Sequence, residues 1–462
     1  MMIYINDIFI EKEKVKVIDK ARETALKILY KIDKDKGYSN IVLNEELENN
    51  KQNLSEKDIG LISEIVYGTT TWRLTIDETI KKYSKIKLKK ISLWILNILR
   101  MGIYQIIFLD KIPKSATVNE SVNLAKRYGH KSSANFVNAI LRKISKNDYQ
   151  SFYDIEDDEE RISKLYSIPK WIIEELKKEM SIEDIEQICK CSNLKPKIHI
   201  RVNNLKTNKE KLKEELVKRN IKFKDGKLED FIIVEKMKNI EKLDLFKQGY
   251  FTIQDEMAGL ISIVLEPKKG EKILDCCSAP GGKTTYIAEL INNEGIIEAW
   301  DVHQHRVELV QENANRLGIT SIKTKQQDAT IYNEENKNKY DKILLDVPCL
   351  GLGVLKRKPD IKWKRKKEDI KEIAELQAQI LDICSKYLKH GGELVYSTCS
   401  ILKSENEEIV EKFVEKNQDF EIINLNENFN KYNPKIYQNS KYIKLFQNTE
   451  NDGFFIAKLR KK

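Results

Sequence analysis

Between positions 18 and 146 apolar residues recur every three or four places, with no stretch of period-two alternation. Ala21, Ala25, Ile28, Leu29 and Ile32 form one such stripe, and Ser55 stands as an N-cap ahead of Ile59, Ile62 and Val66. Further helices are predicted over 75–83, 91–109, 117–128 and 135–144, so this part is an all-α bundle. The acidic stretch 154–160 reads as a linker, and Pro169 near a first helical turn opens another helix. The pattern then changes. Strands over 197–202 and 231–234 flank a Lys-rich helix at 208–218, a small α+β module. From about 270 strands and helices alternate. The strands fall at 272–275, 296–301, 322–326, 342–346 and 393–397, and the helices at 284–290, 305–317 and 372–387. That order predicts a doubly wound parallel sheet, with a late strand at 453–459 as an antiparallel edge hairpin partner. The domains expected are an extension over 1–17, the helical part over 18–148, linker and module over 149–250, and the α/β domain over 251–462.

The longest apolar stretch, 91–109, carries Asn97, Arg100, Gly102 and Gln105, which suits a buried helix and not a membrane span. With 41% apolar and 33% charged residues the chain is globular and not disordered. The formal charge of +10 is compatible with a polyanionic partner, although lysine is abundant throughout. Seven cysteines lack zinc-site spacing, so no metal is expected. Their odd number, and an N-terminus without a secretory pattern, point to a reducing, cytoplasmic setting.

Residues 272–283 read as strand, tight loop and helix, and in such sheets ligands sit beyond the strands' carboxyl ends. Gly282-Lys283-Thr284 matches the end of a P-loop, but the required first glycine falls on Cys277. The Gly-x-Gly-x-x-Gly of dinucleotide folds is missing too. A methyl donor needs no phosphate seat. It needs a loop to pass its amino-acid end and an acid for its ribose. Asp301, Asp328 and Asp346 end three successive predicted strands on that rim, for ribose, adenine edge and base edge respectively.

Cys349 follows the fourth strand in Asp346-Val-Pro-Cys, and Cys399 follows the fifth in Ser397-Thr-Cys-Ser. These strands are neighbours in a doubly wound sheet, so both thiols belong on the ligand rim. Cys384, among Ile380, Leu381 and Leu388, reads as core. Two rim thiols suit cytosine methylation. A thiolate adding at carbon 6 makes carbon 5 nucleophilic toward a methyl sulfonium, a second thiol assists release, and Asp346 bonds the ring. The base must be unpaired or extruded for this attack. The run 356–367 holds eight Lys or Arg against Asp360, with Trp363 interleaved, and reads as a phosphate-tracking wall.

The motifs at 275–285, 346–354, 357–363 and 397–400 resemble the NOL1/NOP2/Sun RNA cytosine-5 methyltransferases. The helical part resembles a NusB-type RNA-binding domain at 118–122, 124–126 and 135–142. The combination is similar to the Sun/Fmu branch. The resemblance implies a Rossmann-like methyltransferase domain with S-adenosylmethionine as methyl donor. The donor site would be Cys277, Ser278, Ala279, Pro280, Gly281, Gly282 and Lys283 with Asp301, Asp328 and Asp346. Cys399 would be nucleophile and Cys349 the release-assisting thiol. It further implies 16S rRNA as substrate, at cytosine 967 in reference rRNA numbering, before ribosome assembly, and a monomeric enzyme. Leu350 stands where the commoner pattern has Ser, and Cys276 is an extra thiol. The alternatives are a transfer-RNA target, a catalytically silent NusB-like RNA-binding factor, and an NTPase, which Cys277 disfavours.

Overall fold

The computed structural model describes residues 19–146, 152–235, 240–429, 432 and 441–462. The extension expected over 1–17 lies outside the described residues. The chain divides into two compact units, Met1–Lys170 and Trp171–Lys462.

The first unit is helical: Lys20–Asp35, Ser39–Asn49, Glu56–Thr71, Arg73–Tyr83, Leu93–Phe108, Lys114–Tyr128, Lys131–Lys146 and Asp158–Tyr166. Ser55 and Asp58 form a reciprocal capping box at the start of the third. The helix Leu93–Phe108 is buried continuously from Ile95 to Ile106. Arg100 within it is reconciled with burial by a bidentate pair to Asp77, at 2.7 and 2.8 Å, and by Asp33 at 2.8 Å. The acidic stretch 154–160 is only partly a linker. Asp157 accepts from Glu160 N at 2.7 Å and caps the helix Asp158–Tyr166, whose first turn is acidic, as the helix dipole favours. That helix buries Ile162 and Leu165, and Thr75 Oγ1 donates to Lys164 O at 2.6 Å.

In the second unit the small module's sheet follows the helix opened after Pro169, Lys170–Leu176, and the helix Ile182–Ser192. This sheet has the order β2-β3-β1-β4, all antiparallel, from β1 (Ile198–Val202), β2 (Phe223–Asp225), β3 (Phe231–Val234) and β4 (Phe251–Ile253). The helix Lys209–Lys218, capped by Asn208, lays Leu212 and Leu216 onto Ile200, Val202, Ile232, Val234 and Phe251.

The large sheet comprises β5 (Lys272–Asp275), β6 (Ile296–Asp301), β7 (Ile322–Gln326), β8 (Tyr340–Asp346), β9 (Leu388–Thr398), β10 (Phe420–Ile423), β11 (Ile443–Leu445) and β12 (Phe454–Lys461). Its order is β10-β12-β9-β8-β5-β6-β7, with β11 paired to β12. β5 to β9 pair in parallel. Ile273, Leu274, Ile343, Leu344 and Leu345 are wholly buried, as expected of parallel strands covered on both faces. The late strand is not an edge partner. β12 runs antiparallel between β9 and β10, and β10 forms the edge. Among the described residues no helix is long and apolar enough to cross a membrane.

Candidate active site

The loop after β5 is pinned by its neighbours. Cys276 N donates to Leu344 O on β8 at 3.1 Å, and Ser278 N and Oγ donate to Trp300 O on β6 at 2.8 and 2.9 Å. Arg306 Nη2 reaches Ala279 O at 3.1 Å, and Asn313 Nδ2 reaches Pro280 O at 2.9 Å. Gly281 has φ +98°, where a side chain is strained, and a Cβ would lie 3.2 Å from Val310 Cα. Gly282 opens the following helix, and its carbonyl accepts from Arg201 Nη1 at 2.7 Å. Arg201 is wholly buried on β1. It also meets Glu289 at 2.8 and 3.0 Å and Thr285 Oγ1 at 3.0 Å. The module therefore holds the loop from behind, a role that the sequence pattern did not reveal.

The three rim acids differ in their surroundings. Asp301 is 4% exposed, accepts from His303 N at 3.1 Å, and lies 3.3 Å from Arg306 Nη1. Asp328 lies two residues beyond β7 and accepts from Thr330 N and Oγ1 at 2.8 and 2.6 Å, a local turn, with no contact to the other rim acids among its hydrogen bonds. Asp346 ends β8, half-buried. It accepts from Lys283 Nζ at 2.7 Å and Ser397 Oγ at 3.0 Å, joining donor loop to thiol rim. A fourth acid, Asp275, ends β5 fully buried. Burial pushes its carboxyl up to about 7, against the Thr284 hydroxyl that donates to it at 2.7 Å. It opens the 275–285 motif, but the sequence alone assigns it no role.

The two rim thiols meet. Cys349 Sγ and Cys399 Sγ are 3.0 Å apart, both partly exposed. Their loops are tied through glycines: Gly353 N donates to Cys399 O at 2.8 Å, and Gly453 N donates to Gly353 O at 2.7 Å. The hydrogen bond between the thiols and the surrounding charges split their acidities. The Cys349 thiol donating to it holds Cys399 below the usual thiol range, and the Lys358 and Lys283 ammoniums add to this against burial and Asp346. Cys349 is held well above that range by the same hydrogen bond, by burial, and by the Cys399, Glu405 and Asp346 charges. Cys276 and Cys384 are core side chains, 1% and 0% exposed, in one apolar cluster.

In the basic run over 356–367, read as a phosphate-tracking wall, Lys356, Arg357, Lys362 and Arg365 are instead tied to internal partners. Lys356 Nζ donates to Asn448 O and Asn451 O at 2.9 and 2.7 Å. Arg357 pairs with Asp452 and, at 2.9 Å, with Asp255. Lys362 is 1% exposed and donates to Asn193 Oδ1 at 2.6 Å, and burial pushes its ammonium down to about 7. Arg365 Nη2 reaches Cys349 O at 3.2 Å. Lys358, Lys366 and Lys367 are the exposed cations of the run. The partners lie mostly far away in sequence, which is why the whole run read as a phosphate-tracking wall. Among the described residues no group of three or more His, Cys, Asp or Glu is arranged to hold a metal.

Comparison with known proteins accounts for all three parts of the chain. The NusB family profile matches residues 19–146, an RsmF/B-like ferredoxin-like domain matches 168–241, and the profile of the 16S rRNA methyltransferases RsmB/F matches 262–460. A probable ribosomal RNA small subunit methyltransferase B from Bacillus subtilis (strain 168) is 36% identical over 443 residues, 96% of this chain and 98% of the relative. The ribosomal RNA small subunit methyltransferase B of Escherichia coli O127:H6 is 32% identical over 89% of this chain and 92% of its own. Among solved structures, PH0851 superposes with a TM-score of 0.80 at 25% identity, covering 96% of this chain and all of that one. NSun6 from Pyrococcus horikoshii with SFG does so with a TM-score of 0.56 at 27% identity, over 64% of this chain and 99% of that one. A NusB-family helical part, a ferredoxin-like module and a mixed α/β catalytic domain, with relatives alike from end to end, place this chain in the RsmB/F family of 16S rRNA methyltransferases.

Proposed function

We propose that the protein methylates carbon 5 of a cytosine in 16S rRNA, at the position-967 site, through a covalent adduct between Cys399 and carbon 6. The observation that carries this reading is the thiol pair at 3.0 Å, whose mutual hydrogen bond lowers Cys399 and raises Cys349. The thiol with the lowered pKa supplies the thiolate. Cys399 Sγ bonds to carbon 6, and the electron pair moves to carbon 5, which becomes nucleophilic. S-adenosylmethionine, on which this family depends, supplies the methyl group as a sulfonium. The carbon 5 proton is then lost and the carbon 6–sulfur bond breaks, returning the thiolate and the aromatic ring. Cys349, kept protonated beside the leaving sulfur, assists that release. Asp346, held by Lys283 and Ser397, would hydrogen-bond the base edge as charge develops. The base has to be unpaired or extruded for this attack, and the family resemblance points to RNA before ribosome assembly.

The residues at the donor loop fit the methyl donor. The backbone of Cys277, Ser278, Ala279, Pro280, Gly281, Gly282 and Lys283 is fixed from several sides, with a left-handed glycine at the bend, and Cys277 stands where a P-loop needs its first glycine. Asp301 would hold the ribose hydroxyls and Asp328 the adenine edge. Asp301→Ala should therefore weaken S-adenosylmethionine binding by about 1.5–3 kcal/mol, the range for hydrogen bonds to a charged group. Calorimetry with unchanged affinity removes Asp301 from the donor site. The function itself is tested by bisulfite mapping of ribosomal and transfer RNA from cells with and without the protein. A single cytosine of 16S rRNA should lose protection. Loss in transfer RNA, or nowhere, overturns the reading.

A further inference from the structure

Glu405 lies in the turn that follows the Cys399 loop, 0% exposed, and has entered above only through its charge near Cys349. Its carboxylate reaches both thiol loops. One oxygen accepts from Ser400 Oγ, the residue after Cys399. The other accepts from Leu350 N, the residue after Cys349, at 2.8 Å. That second oxygen also accepts from Gln377 Nε2 at 3.1 Å, and the same amide donates to Pro348 O, the residue before Cys349, at 2.9 Å. Asn406 closes the other loop: Thr398 Oγ1 donates to Asn406 Oδ1 at 2.6 Å, and Asn406 Nδ2 donates to Ser400 O at 3.2 Å. The turn itself is anchored, since Tyr396 Oη donates to Glu405 O at 2.6 Å. Every chain neighbour of the two thiols is thus bonded to one buried trio.

We infer that Glu405, with Gln377 and Asn406, is the positioning residue that sets the spacing of the two thiols, holding Cys399 on line for attack and Cys349 beside it for release. This rests on the cysteine roles proposed above. An acceptor is needed because three donors converge there, and a buried donor without a partner is costly. Burial pushes the Glu405 carboxyl up, and the Ser400, Leu350 and Gln377 donors hold it down. The Leu350 position fits the same account. What the bracket uses is the backbone N–H, and the Leu350 side chain is wholly buried. Glutamine at 405 can keep the bracket without the charge, its carbonyl facing Leu350 N and Gln377 and its amide donating to Ser400 Oγ. Alanine keeps none of it.

The test uses the full chain with S-adenosylmethionine and a 16S rRNA fragment whose target carbon 5 carries fluorine, so that after methyl transfer the adduct cannot eliminate. Glu405→Ala should slow adduct formation by about 100-fold, the cost of misplacing a reacting group by an ångström, with calorimetric donor affinity unchanged. Glu405→Gln should recover to within about tenfold of the parent. On ordinary RNA, Gln377→Ala loosens only the Cys349 side and should accumulate adduct instead of failing to form it. If Glu405→Ala does not fold, Glu405→Gln and Gln377→Ala carry the test. Adduct formation at the parental rate in Glu405→Ala overturns the inference, as does a glutamine variant no better than alanine, or a Gln377→Ala enzyme that turns over normally. If Cys399→Ala still forms adduct, the cysteine roles fail instead, and that outcome is distinct from the others.

Discussion

Cys349→Ala should give an enzyme that transfers one methyl group and then stays bonded to its RNA. The adduct would appear as a band of lower mobility on a denaturing gel after incubation with 16S rRNA and donor. Cys399→Ala should form no such band and lose at least about 10⁴-fold in turnover, the scale on which loss of a covalent nucleophile is felt. The difference follows from the hydrogen bond between two sulfurs 3.0 Å apart, which favours a thiolate at Cys399 with Lys358 and Lys283 adding to it against burial and Asp346, and which with burial, Glu405 and Asp346 raises Cys349. Cys384→Ala should do neither, with only the modest stability loss of a small core truncation. An adduct trapped by Cys399→Ala and abolished by Cys349→Ala would reverse the two roles.

Gly353→Ala should be nearly as damaging, although Gly353 bears no side chain. A Cβ there would sit 2.2 Å from Gly453 O and 2.8 Å from Cys399 O, both backbone atoms that no rotamer change can move aside. The added methyl must push the Cys399 backbone or the Gly453 turn away, and overpacking of this kind costs about 1–3 kcal/mol of stability. Displacing the nucleophile's own carbonyl should lower kcat by about 100-fold while the Michaelis constant for the donor holds, since the donor loop is untouched. Steady-state kinetics with the thermal midpoint measured alongside would check this. A Gly353→Ala enzyme with parental kcat would show that the two loops are not coupled through this contact.

Much of the α/β domain was readable because buried parallel strands are short apolar runs that end where the chain turns polar. The limits of β5, β6 and β7 fall where the pattern put them, as do those of β3 in the module. The three-residue strands β2 and β4 have too few positions to show a period. The helix Ser39–Asn49 buries only Ser39, Val42 and Leu43, with no side-chain cap, so its stripe was too weak to read. The meeting of Cys349 and Cys399 was legible from adjacent strand ends. Contacts made across long separations were not. Arg201 looked like one more strand residue until Glu289, 88 positions away, came to lie against it. Glu405 and Gln377 carry no motif of their own, and Lys356, Arg357 and Lys362 read as part of a phosphate-tracking wall because Asp452, Asp255 and Asn193 are remote.

The placement of β12 also bears on how the protein is made. Translation delivers the other strands first, yet β12 is the one that fills the gap between β9 and β10. Until residues 454–461 leave the ribosome, β9 presents a bare edge and β10 has no strand to pair with in this sheet. The helical unit, with all its helices encoded before position 171, can condense early from local contacts. Gly453, which anchors Gly353 beside the nucleophile, immediately precedes β12. The nascent chain therefore acquires its catalytic geometry last, when the sheet is sealed.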